Sequence, residues 1–492
     1  MSVREEGGGT WELLAPVAAA PARARGRALR EALRDAVRRG RLAAGTRLPS
    51  TRELAAELGV SRGLVTEAYE QLTAEGYLRS ARGSGTWVGD AARAPAPGGA
   101  RDLAPHSPGV RVDFRPGVPD LSLFPRAAWA AAYKTALGGL AHRRLGYPDP
   151  RGLPELRTAL AALLTRRRGV VADPERLVVC AGVAQALTLV GSVLRERGER
   201  SVGVEDPGSP NHGALFAAVG LRAVGVPLDS EGAEPGVLAA SGVRAVVTTP
   251  AHQFPLGIGY SAGRRAALLD WARDVDGWVV EDDYDGDFRY DREPVGALQG
   301  LDPERVVHTG SVSKSLAPGL RLGWLLLPEA LAEAVVERKR MADLGCPVLD
   351  QAVLADFVAR GGYDRHLRRC RSAYRERRDA LVRALAAALP GTEVTGIAAG
   401  LHVIARVPAR YGPAAAFLER AAAAGVVLRP LTDYGTDREA GGGAHTGGGA
   451  EGRAGGGGAA LVLGYAHLSP ADIARGVRAL ADAVRGRGPG TS

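Results

Sequence analysis

The sequence is poor in cysteine, in long apolar runs and in lysine, and each scarcity excludes a class of protein. In a chain of 492 residues the three cysteines lie far apart, at Cys180, Cys346 and Cys370. They form neither a disulfide framework nor a zinc motif of closely spaced ligands, which is typical of proteins in a reducing cytoplasm. The longest nearly apolar stretch, residues 177–194, contains two glycines and a glutamine. We interpret it as strand, turn and helix rather than as a membrane span.

The overall composition is that of a soluble globular protein, with 46% hydrophobic and 24% charged residues. Its length predicts two or more domains. The first residues carry acidic side chains and lead into no apolar core, so we expect no secretory signal and a cytoplasmic location. The formal net charge of +9 permits an anionic partner such as nucleic acid without demanding one.

Lysine is so rare here that each one deserves a reason. Only Lys134, Lys314 and Lys339 occur among 63 basic residues, so arginine serves wherever a plain positive charge is enough. Lysine, unlike arginine, can lose its proton and form a Schiff base with an aldehyde. Around Lys314, the hydroxyls of Ser311 and Ser313 and the guanidinium of Arg321 are groups that bind a phosphate. A lysine beside a phosphate site predicts pyridoxal phosphate (PLP); the alternative is a surface loop with an incidental lysine.

The N-terminal segment is locally basic, with 13 arginines against 7 acids between residues 23 and 87. Apolar residues at helical spacing predict a first helix that contains Leu29, Leu33 and Val37. Ser50 with Glu53 predicts a capped second helix, and Ser61 opens a third after a glycine turn. Helix, short turn and helix form a helix-turn-helix, whose second member enters the DNA major groove. Two short strands around residues 77–88 would form a wing.

This segment resembles the winged helix of GntR-type regulators. The matching pieces, which come in order over about 65 residues, are Gly45–Ser50, Arg52–Ala55, Leu58–Arg62, Glu75–Leu78 and Gly83–Thr86. The resemblance implies that four side chains lie at the DNA: Arg52, Ser61, Arg62 and Thr66. The two arginines could equally contact phosphates, which position a protein without specifying sequence. The alternative is a three-helix interaction module with a solvated basic face.

Composition divides the chain into three parts. Residues 23–89 form the expected DNA-binding domain, residues 90–112 a Pro/Gly-rich linker without apolar periodicity, and residues 113–492 a larger body. Within the body, residues 441–458 are a low-complexity insertion to which we assign no chemistry.

The body shows apolar strands separated by helical segments. We predict these strands at residues 177–181, 201–205, 245–249, 278–281, 306–309 and 322–327. Continuous rather than alternating apolar strands favour a largely parallel sheet covered by helices on both faces. Ligands of such open sheets gather outside the carboxyl ends of the strands.

Several polar groups follow those strand ends. Asp282 could hold the pyridine nitrogen of PLP protonated, and the phenol of Tyr284 could reach the ring hydroxyl. The turn at residues 182–185 opens a helix, whose free N–H groups make an anion site. An acidic metal loop at residues 282–288 is the alternative, but its spacing fails the EF-hand pattern because Phe288 stands where a glycine should follow Asp287, so we expect no metal.

The body resembles a fold-type-I aminotransferase, and within that class the MocR group, in which a GntR-like head precedes an aminotransferase-like body. The motifs that carry this resemblance are Glu281–Tyr284, Ser313–Gly323 and Pro250–Pro255. The resemblance covers about 460 residues and implies a small C-terminal α+β subdomain. It also implies head-to-tail homodimers in which each head rests on the other chain's body.

The same resemblance implies a role for each candidate site residue. Lys314 would be the Schiff-base lysine, Asp282 the partner of the pyridine nitrogen and Tyr284 the neighbour of the ring hydroxyl. The remaining residues would hold the phosphate: Ser311, Ser313, Arg321, the backbone of Val183 and Ala184, and Tyr147 from the second subunit.

Two positions depart from the family pattern. Ser209 stands where an aromatic residue usually stacks on the PLP ring, and His212 is a candidate substitute. Val462 stands where aminotransferases carry the arginine that clamps the substrate carboxylate, while Arg429 belongs to another segment. Without that clamp an amino acid is neither bound nor oriented.

Two functions therefore remain open. The first is a regulator that binds a double-stranded DNA operator and senses PLP or a small amine, with at most weak transaminase activity. The second is a working PLP-dependent aminotransferase with an accessory winged-helix domain. Lys314, Asp282, Tyr284 and Arg321 support the second function, and Val462 and Ser209 oppose it.

Overall fold

The computed structural model describes residues 17, 19–81, 85–89, 109–291, 295–435 and 458–486. The chain divides into two compact units, residues 1–105 and residues 106–492. The predicted linker and the glycine-rich insertion fall largely outside the described residues. No helix of the described part is both long and apolar enough to cross a membrane.

The described part of the N-terminal unit contains three α-helices of at least 8 residues, followed by a two-stranded hairpin. The helices are α1 (Arg25–Arg38), α2 (Thr51–Leu58) and α3 (Arg62–Ala74), and the strands are β1 (Leu78–Ala81) and β2 (Gly85–Val88). β1 and β2 pair in antiparallel register, as expected of a wing. Leu29, Leu54 and Leu72 from the three helices are almost fully buried in one core.

Local side-chain contacts fix the start of α2 and α3. Ser50 accepts a hydrogen bond from the Glu53 N–H, and the Glu53 carboxylate accepts one from the Ser50 N–H, which is the expected capping box. The Ser61 hydroxyl accepts from the N–H of Leu64. Gly59 ends α2 with a left-handed φ of 60°. The predicted helix-turn-helix is therefore present, with its two caps in place.

An eight-stranded sheet forms the centre of the second unit. In chain order its strands are β4 (Leu177–Cys180), β5 (Ser201–Asp206), β6 (Arg222–Asp229), β7 (Gly232–Ala233), β8 (Ala245–Thr248), β9 (Trp278–Asp282), β10 (Val306–Ser311) and β11 (Gly323–Leu326). Their spatial order is β4-β11-β10-β9-β8-β5-β6-β7. β10, β9, β8, β5 and β6 are parallel, whereas β11 is antiparallel to both β10 and β4.

Helices cover both faces of this sheet. They are α4 (Arg126–Gly139), α5 (Pro154–Arg168), α6 (Val183–Glu196), α7 (Pro210–Ala218), α8 (Pro235–Ser241), α9 (Ala262–Asp274), α10 (Glu329–Asp343), α11 (Val348–Ala359) and α12 (Gly362–Ala388). Successive strand residues pack on opposite sides. In β9, Val279 contacts the cluster around α8 and α9, and Val280 contacts the cluster around α6 and α10. Two buried faces explain why the strands read as continuous apolar runs.

A smaller α+β subdomain completes the body. Strands β12 (Glu393–Thr395), β13 (His402–Val407) and β15 (Ala459–Gly464) form an antiparallel sheet, and β14 (Val426–Val427) pairs with β3 (Val112–Asp113). Helices α13 (Ala414–Ala423) and α14 (Pro470–Val484) pack on it. Because Val112 pairs with Val426, the body already includes the last residue of the segment expected as linker.

Six of the eight central strands lie within one or two residues of the bounds predicted from the sequence. The other two, β6 and β7, are the last two strands at one edge of the sheet. The burial of β6 is mostly intermediate, and it contains a glycine and a proline, so it lacks the continuous apolar run that identified the others. Strand direction carries no such signal, and the antiparallel β11 was not anticipated.

Candidate functional site

The carboxyl ends of β5, β9 and β10 and the amino end of β11 meet at one edge of the sheet. Asp282 is the last residue of β9, and Ser311 is the last residue of β10 and lies opposite Gly323 of β11. Lys314 follows three residues after β10, in a turn. The edge also lies close to distant parts of the chain: Lys314 contacts the backbone of Gly117, 197 positions earlier.

Lys314 is a half-buried amine. Its Nζ donates a hydrogen bond of 2.5 Å to the carbonyl oxygen of Gly117. Burial lowers the pKa of Lys314 below its ordinary value, and the carboxylates of Asp282 and Asp285 act in the opposite direction. A lowered pKa leaves more of the amine neutral, which is the form that attacks an aldehyde. Gly117 has a φ of 78°, and a Cβ there would lie 3.4 Å from Nζ, so a glycine suits this position.

Asp282 is buried and has one oxygen free. Its Oδ2 lies 3.0 Å from Nε2 of His212 on α7. Its Oδ1 is buried and contacts no hydrogen-bond donor among the described residues. A buried carboxylate oxygen without a donor is costly, and a protonated ring nitrogen would satisfy it. His212 thus holds the Asp282 carboxylate in place. The sequence did not predict this contact.

Tyr284 belongs to a buried polar cluster. Its hydroxyl lies 3.1 Å from Nδ1 of His252, and the same nitrogen lies 2.9 Å from Oδ2 of Asp285. Burial, followed by the nearby Asp285 carboxylate, raises the pKa of Tyr284 well above its ordinary value. The phenol therefore keeps its proton and can donate a hydrogen bond. Burial also lowers the pKa of the adjacent His402 to about 3, so that ring is neutral.

A set of backbone and guanidinium donors lies at the start of α6. We call residues 181–184 with Arg321 the cradle. Gly182 precedes α6 with a φ of 93°, and a Cβ there would lie 3.0 Å from a guanidinium nitrogen of Arg321. Arg321 in turn donates to the carbonyl oxygen of Ala181. The N–H groups of the first helical turn, including those of Val183 and Ala184, have no acceptor within the helix and favour an anion.

The serine hydroxyls lie on the next strand end. Ser311 accepts a hydrogen bond of 3.3 Å from the N–H of Ser313, which makes a tight turn after β10. Both side chains are partly exposed. Gly323 on β11 approaches the cradle so closely that a Cβ would lie 2.7 Å from the Cα of Gly182. The two serines and the cradle therefore border adjacent strands.

These residues fit PLP. The free Oδ1 of Asp282 suits a protonated pyridine nitrogen. The cradle suits a phosphate, and any side chain at its Gly182 would contact the Arg321 guanidinium. Lys314 supplies an amine of lowered pKa. The acidic loop that could suggest a metal is instead paired with cations: Asp283 with Arg168 and Asp287 with Arg167. Among the described residues, no group of three His, Cys, Asp or Glu side chains is placed to hold a metal ion.

The opposite side of the site is apolar. Val462 on β15 is fully buried, and it packs in a cluster with Ile404, Tyr434, Phe254 and Leu431. The ring of Phe254 meets the ring of Tyr284 edge to face, with centroids 6.0 Å apart, which places this apolar cluster beside the polar one. Arg429 lies next to β15, and its carbonyl oxygen accepts a hydrogen bond from the N–H of Val462. Its exposed guanidinium, however, lies 3.5 Å from the carboxylate of Asp433.

Two further positions singled out in the sequence are Ser209 and Tyr147. Ser209 precedes α7 and makes no capping hydrogen bond through its side chain. Tyr147 is 88% exposed, so within one chain it contacts little. The role of Tyr147 at a second subunit's phosphate stays a prediction.

The second candidate surface is on α2 and α3 of the N-terminal unit. Arg52, Ser61 and Arg62 are exposed, and Nε of Arg62 lies 3.4 Å from the hydroxyl of Thr51. The Thr66 hydroxyl donates to the carbonyl oxygen of Arg62. Arg52 thus lies in the first turn of α2, Ser61 and Arg62 open α3, and Thr66 follows one turn later. Arg52 and Arg62 thus place two exposed guanidinium groups on this surface.

Comparisons with known proteins agree with both halves of this description. The family model of bacterial regulatory proteins of the gntR family matches residues 26–88, and the model of aminotransferase class I and II matches residues 112–441. The fold and the site thus define a class: a winged-helix unit joined to an aminotransferase-like body.

Curated relatives combine the same two parts. The HTH-type transcriptional regulator YhdI of Bacillus subtilis is 35% identical over 80% of this chain and 85% of its own length. The pyridoxine biosynthesis regulator PdxR of Corynebacterium glutamicum is 34% identical, over 75% and 80%. The probable rhizopine catabolism regulatory protein MocR of Rhizobium meliloti is 36% identical, over 70% and 73%. The chain belongs to the MocR-type helix-turn-helix transcriptional regulators.

Solved aminotransferases share the fold of the body. The multiple substrate aminotransferase of Thermococcus profundus superimposes with a TM-score of 0.67 and 26% identity, over 78% of this chain and 93% of its own. The α-aminoadipate aminotransferase LysN of Thermus thermophilus gives 0.64 and 28%, over 77% and 93%, and was solved with N-(5'-phosphopyridoxyl)-L-leucine. The class I and II aminotransferases are PLP-dependent, and the GntR-type regulators bind DNA.

Proposed function

We propose that this protein binds PLP at Lys314, binds an operator as a head-to-tail homodimer, and changes its DNA affinity with the state of the PLP site. The observation that carries the proposal is the buried, donorless Oδ1 of Asp282 in the same site as an amine of lowered pKa. That pair supports a protonated heterocycle that also carries an aldehyde. The winged helix on the same chain supports a regulatory use of that site.

Each residue has a separate task. When bound, PLP supplies an aldehyde that condenses with amines and a ring that withdraws electrons. Lys314 offers the amine, and Asp282, held by His212, would accept a hydrogen bond from the protonated ring nitrogen. Tyr284 donates toward the ring hydroxyl from its cluster with His252 and Asp285.

The phosphate would be held from several sides. Arg321 and the N–H groups of Val183 and Ala184 provide charge and donors, and the hydroxyls of Ser311 and Ser313 add further donors. Tyr147 from the second copy would complete the site, which agrees with its exposure in the single chain. PLP binding would therefore depend on the dimer.

The apolar side of the site limits the effector. Val462 and its neighbours offer no cation to a carboxylate, and the Arg429 guanidinium points to Asp433 instead. An α-carboxylate placed against this cluster would lose its hydration without gaining a partner. The effector is therefore PLP itself or a primary amine without an α-carboxylate.

The N-terminal unit would read DNA with α3 in the major groove. Arg52 and Arg62 lie at the surface that would meet the backbone or base edges, with Ser61 and Thr66 beside them. Replacing an arginine that contacts phosphate would weaken binding to all sequences alike and reduce the salt dependence.

Absorbance spectroscopy and a DNA mobility shift test the proposal together. Purified protein with PLP should show the visible band of covalently bound cofactor, and borohydride reduction should fix that label on Lys314. The same preparation should shift DNA from its own upstream region to an extent that depends on PLP. A parent protein without the band, or a Lys314→Ala variant that responds to PLP like the parent, would contradict it.

An active aminotransferase is the second candidate, favoured by the complete cofactor-holding set of Lys314, Asp282, Tyr284 and Arg321. Turnover should then follow when common amino donors are supplied together with an oxo acid. Rapid turnover would favour the enzyme. Slow or absent turnover with intact PLP binding would favour the regulator, as the lack of a carboxylate clamp at Val462 predicts.

A further inference from the structure

The third lysine of the chain is buried behind the cradle, away from the site described so far. Lys339 on α10 has none of its surface exposed, although lysines are rarely buried without a partner. Its Nζ donates 2.6 Å to Oδ2 of Asp343, one helical turn later, and lies 3.4 Å from Sγ of Cys346. In a chain that uses arginine for ordinary charges, a compact buried ammonium indicates a specific task.

Asp343 connects this ammonium to the start of α6. Its Oδ2 also accepts a hydrogen bond of 2.7 Å from Nε2 of Gln185, and its Oδ1 accepts 2.8 Å from the N–H of Gly345. Burial alone would raise the pKa of Asp343, but the bonds from Lys339, Gln185 and Gly345 bring it below its ordinary value. The group is therefore an ionised carboxylate that orients the Gln185 side chain.

Gln185 in turn fixes the cradle. Its Oε1 accepts a hydrogen bond of 2.7 Å from the N–H of Ala181, while Arg321 donates to the Ala181 carbonyl oxygen. The peptide groups of Ala181 are thus held on both sides. Because Gly182 and Val183 follow directly, the orientation of Ala181 sets the direction of the first N–H groups of α6.

We propose that Lys339 is a positioning residue that, through Asp343 and Gln185, aims the N–H groups of Val183 and Ala184 at the phosphate of the cofactor. Lys339 itself touches no ligand. The inference rests on the proposed PLP site but concerns only its phosphate end. It predicts that the chain from Lys339 to Ala181 controls phosphate recognition and leaves the reaction of the aldehyde with Lys314 unaffected.

Comparing PLP with pyridoxal, which lacks the phosphate, tests this inference on the full-length protein. Lys339→Met keeps the shape of the buried stem and removes the ammonium. PLP affinity should fall about tenfold or more, as expected when a hydrogen bond to a charged group is lost, while pyridoxal affinity should change by less than about twofold. Lys134→Met, an exposed lysine on α4, is the matched control and should keep the parent ratio.

Gln185→Met breaks the same path at a partly exposed position and carries the test if Lys339→Met does not fold. It should lower the preference for PLP over pyridoxal to a similar extent. Adding Lys339→Met to Gln185→Met should then cost little more, because both changes remove one connected path. Folded variants that lose PLP and pyridoxal binding equally, or that keep the parent ratio, would overturn the inference.

The parent separates this inference from the function it rests on. A parent that binds PLP more tightly than pyridoxal, with variants that do the same, would overturn the role of Lys339 and leave the PLP site standing. A parent that binds neither compound would overturn both.

Discussion

The two units of this protein acquire their candidate sites in different ways. In the N-terminal unit the surface residues on α2 and α3 are placed by contacts between close neighbours, such as Ser50 with Glu53 and Ser61 with Leu64. In the body, the site is assembled from residues far apart in sequence, such as Lys314 with Gly117 and Asp282 with His212. Contacts between near neighbours can be predicted from the sequence. For a site built from distant residues, the sequence indicates the individual residues but not the contacts between them.

The difference has an energetic side. A helix cap contributes about 1 kcal/mol to stability, so its loss destabilises a unit without changing its fold. A buried carboxylate such as Asp282 depends on its partners, since leaving either one alone in a buried place is strongly unfavourable. Variants of the body should therefore act on ligand binding, and variants of the caps on stability.

The largest expected effect comes from Lys314→Ala. The variant should lose covalent attachment of PLP entirely, because no other amine in the chain occupies that place, and borohydride should fix no label. Binding of operator DNA without PLP should stay at the parent level, since the N-terminal unit has its own core. Mass spectrometry of the reduced protein and a DNA titration measure the two results. Borohydride-fixed label on another lysine would contradict the assignment of Lys314 as the attachment site.

Asp282→Ala tests the long-range assembly next. Removing the acceptor for the protonated ring nitrogen should weaken PLP binding about 10- to 100-fold, as loss of a bond to a charged group implies. Equilibrium titration by absorbance follows it. Asp287→Asn is the matched control, an acid of the same loop that pairs with Arg167 instead. Equal losses of PLP affinity in both variants would mean that Asp282 does not contact the ring nitrogen.

Removing a cap probes the local construction. Ser50→Ala should lower the free energy of unfolding of the N-terminal unit by about 1 kcal/mol, because the Glu53 N–H loses its acceptor. PLP affinity should not change. Denaturant unfolding, followed separately for the two units, gives the measurement, and Ser372→Ala on the exposed side of α12 is the control. A change in PLP affinity would show that the units are less independent than their cores suggest.

The smallest effect concerns pH. Asp285 raises the pKa of Lys314 against the larger effect of burial, so Asp285→Asn should lower that pKa further. The neutral, reactive amine would then persist to lower pH, and the pH midpoint for the rate of pyridoxal attachment should move downward. Asp287→Asn again serves as the control. An upward shift would indicate that the Asp285–His252 pair acts on Lys314 by another route.

Much of the architecture followed from the sequence, for physical reasons that can be named. Side-chain caps and apolar periodicity are local, so α2, α3 and six central strands were found. Lys314 and Asp282 stood out by rarity and by position after a strand. The contacts of His212 with Asp282 and of His252 with Asp285 and Tyr284 were not found, since 70 residues separate His212 from Asp282 and 33 separate His252 from Asp285.

The path from Lys339 to the cradle shows the same limit. Its four residues lie on two helices and the turn before α6, and no spacing rule connects Gln185 with Asp343, 158 residues apart. Only the scarcity of lysine gave a signal, and it pointed to Lys339 as much as to Lys314. Composition can therefore mark a residue as special before the structure says what it contacts.

Reciprocal binding measurements test the central claim most directly. If the PLP site and the DNA surface are coupled, PLP must change operator affinity by the same factor by which the operator changes PLP affinity. Titrations of the parent in both orders should give one common factor different from unity, and Lys314→Ala should show no effect of PLP on operator affinity. A factor of unity in the parent, with PLP bound at Lys314, would contradict the account of this protein as a PLP-responsive regulator.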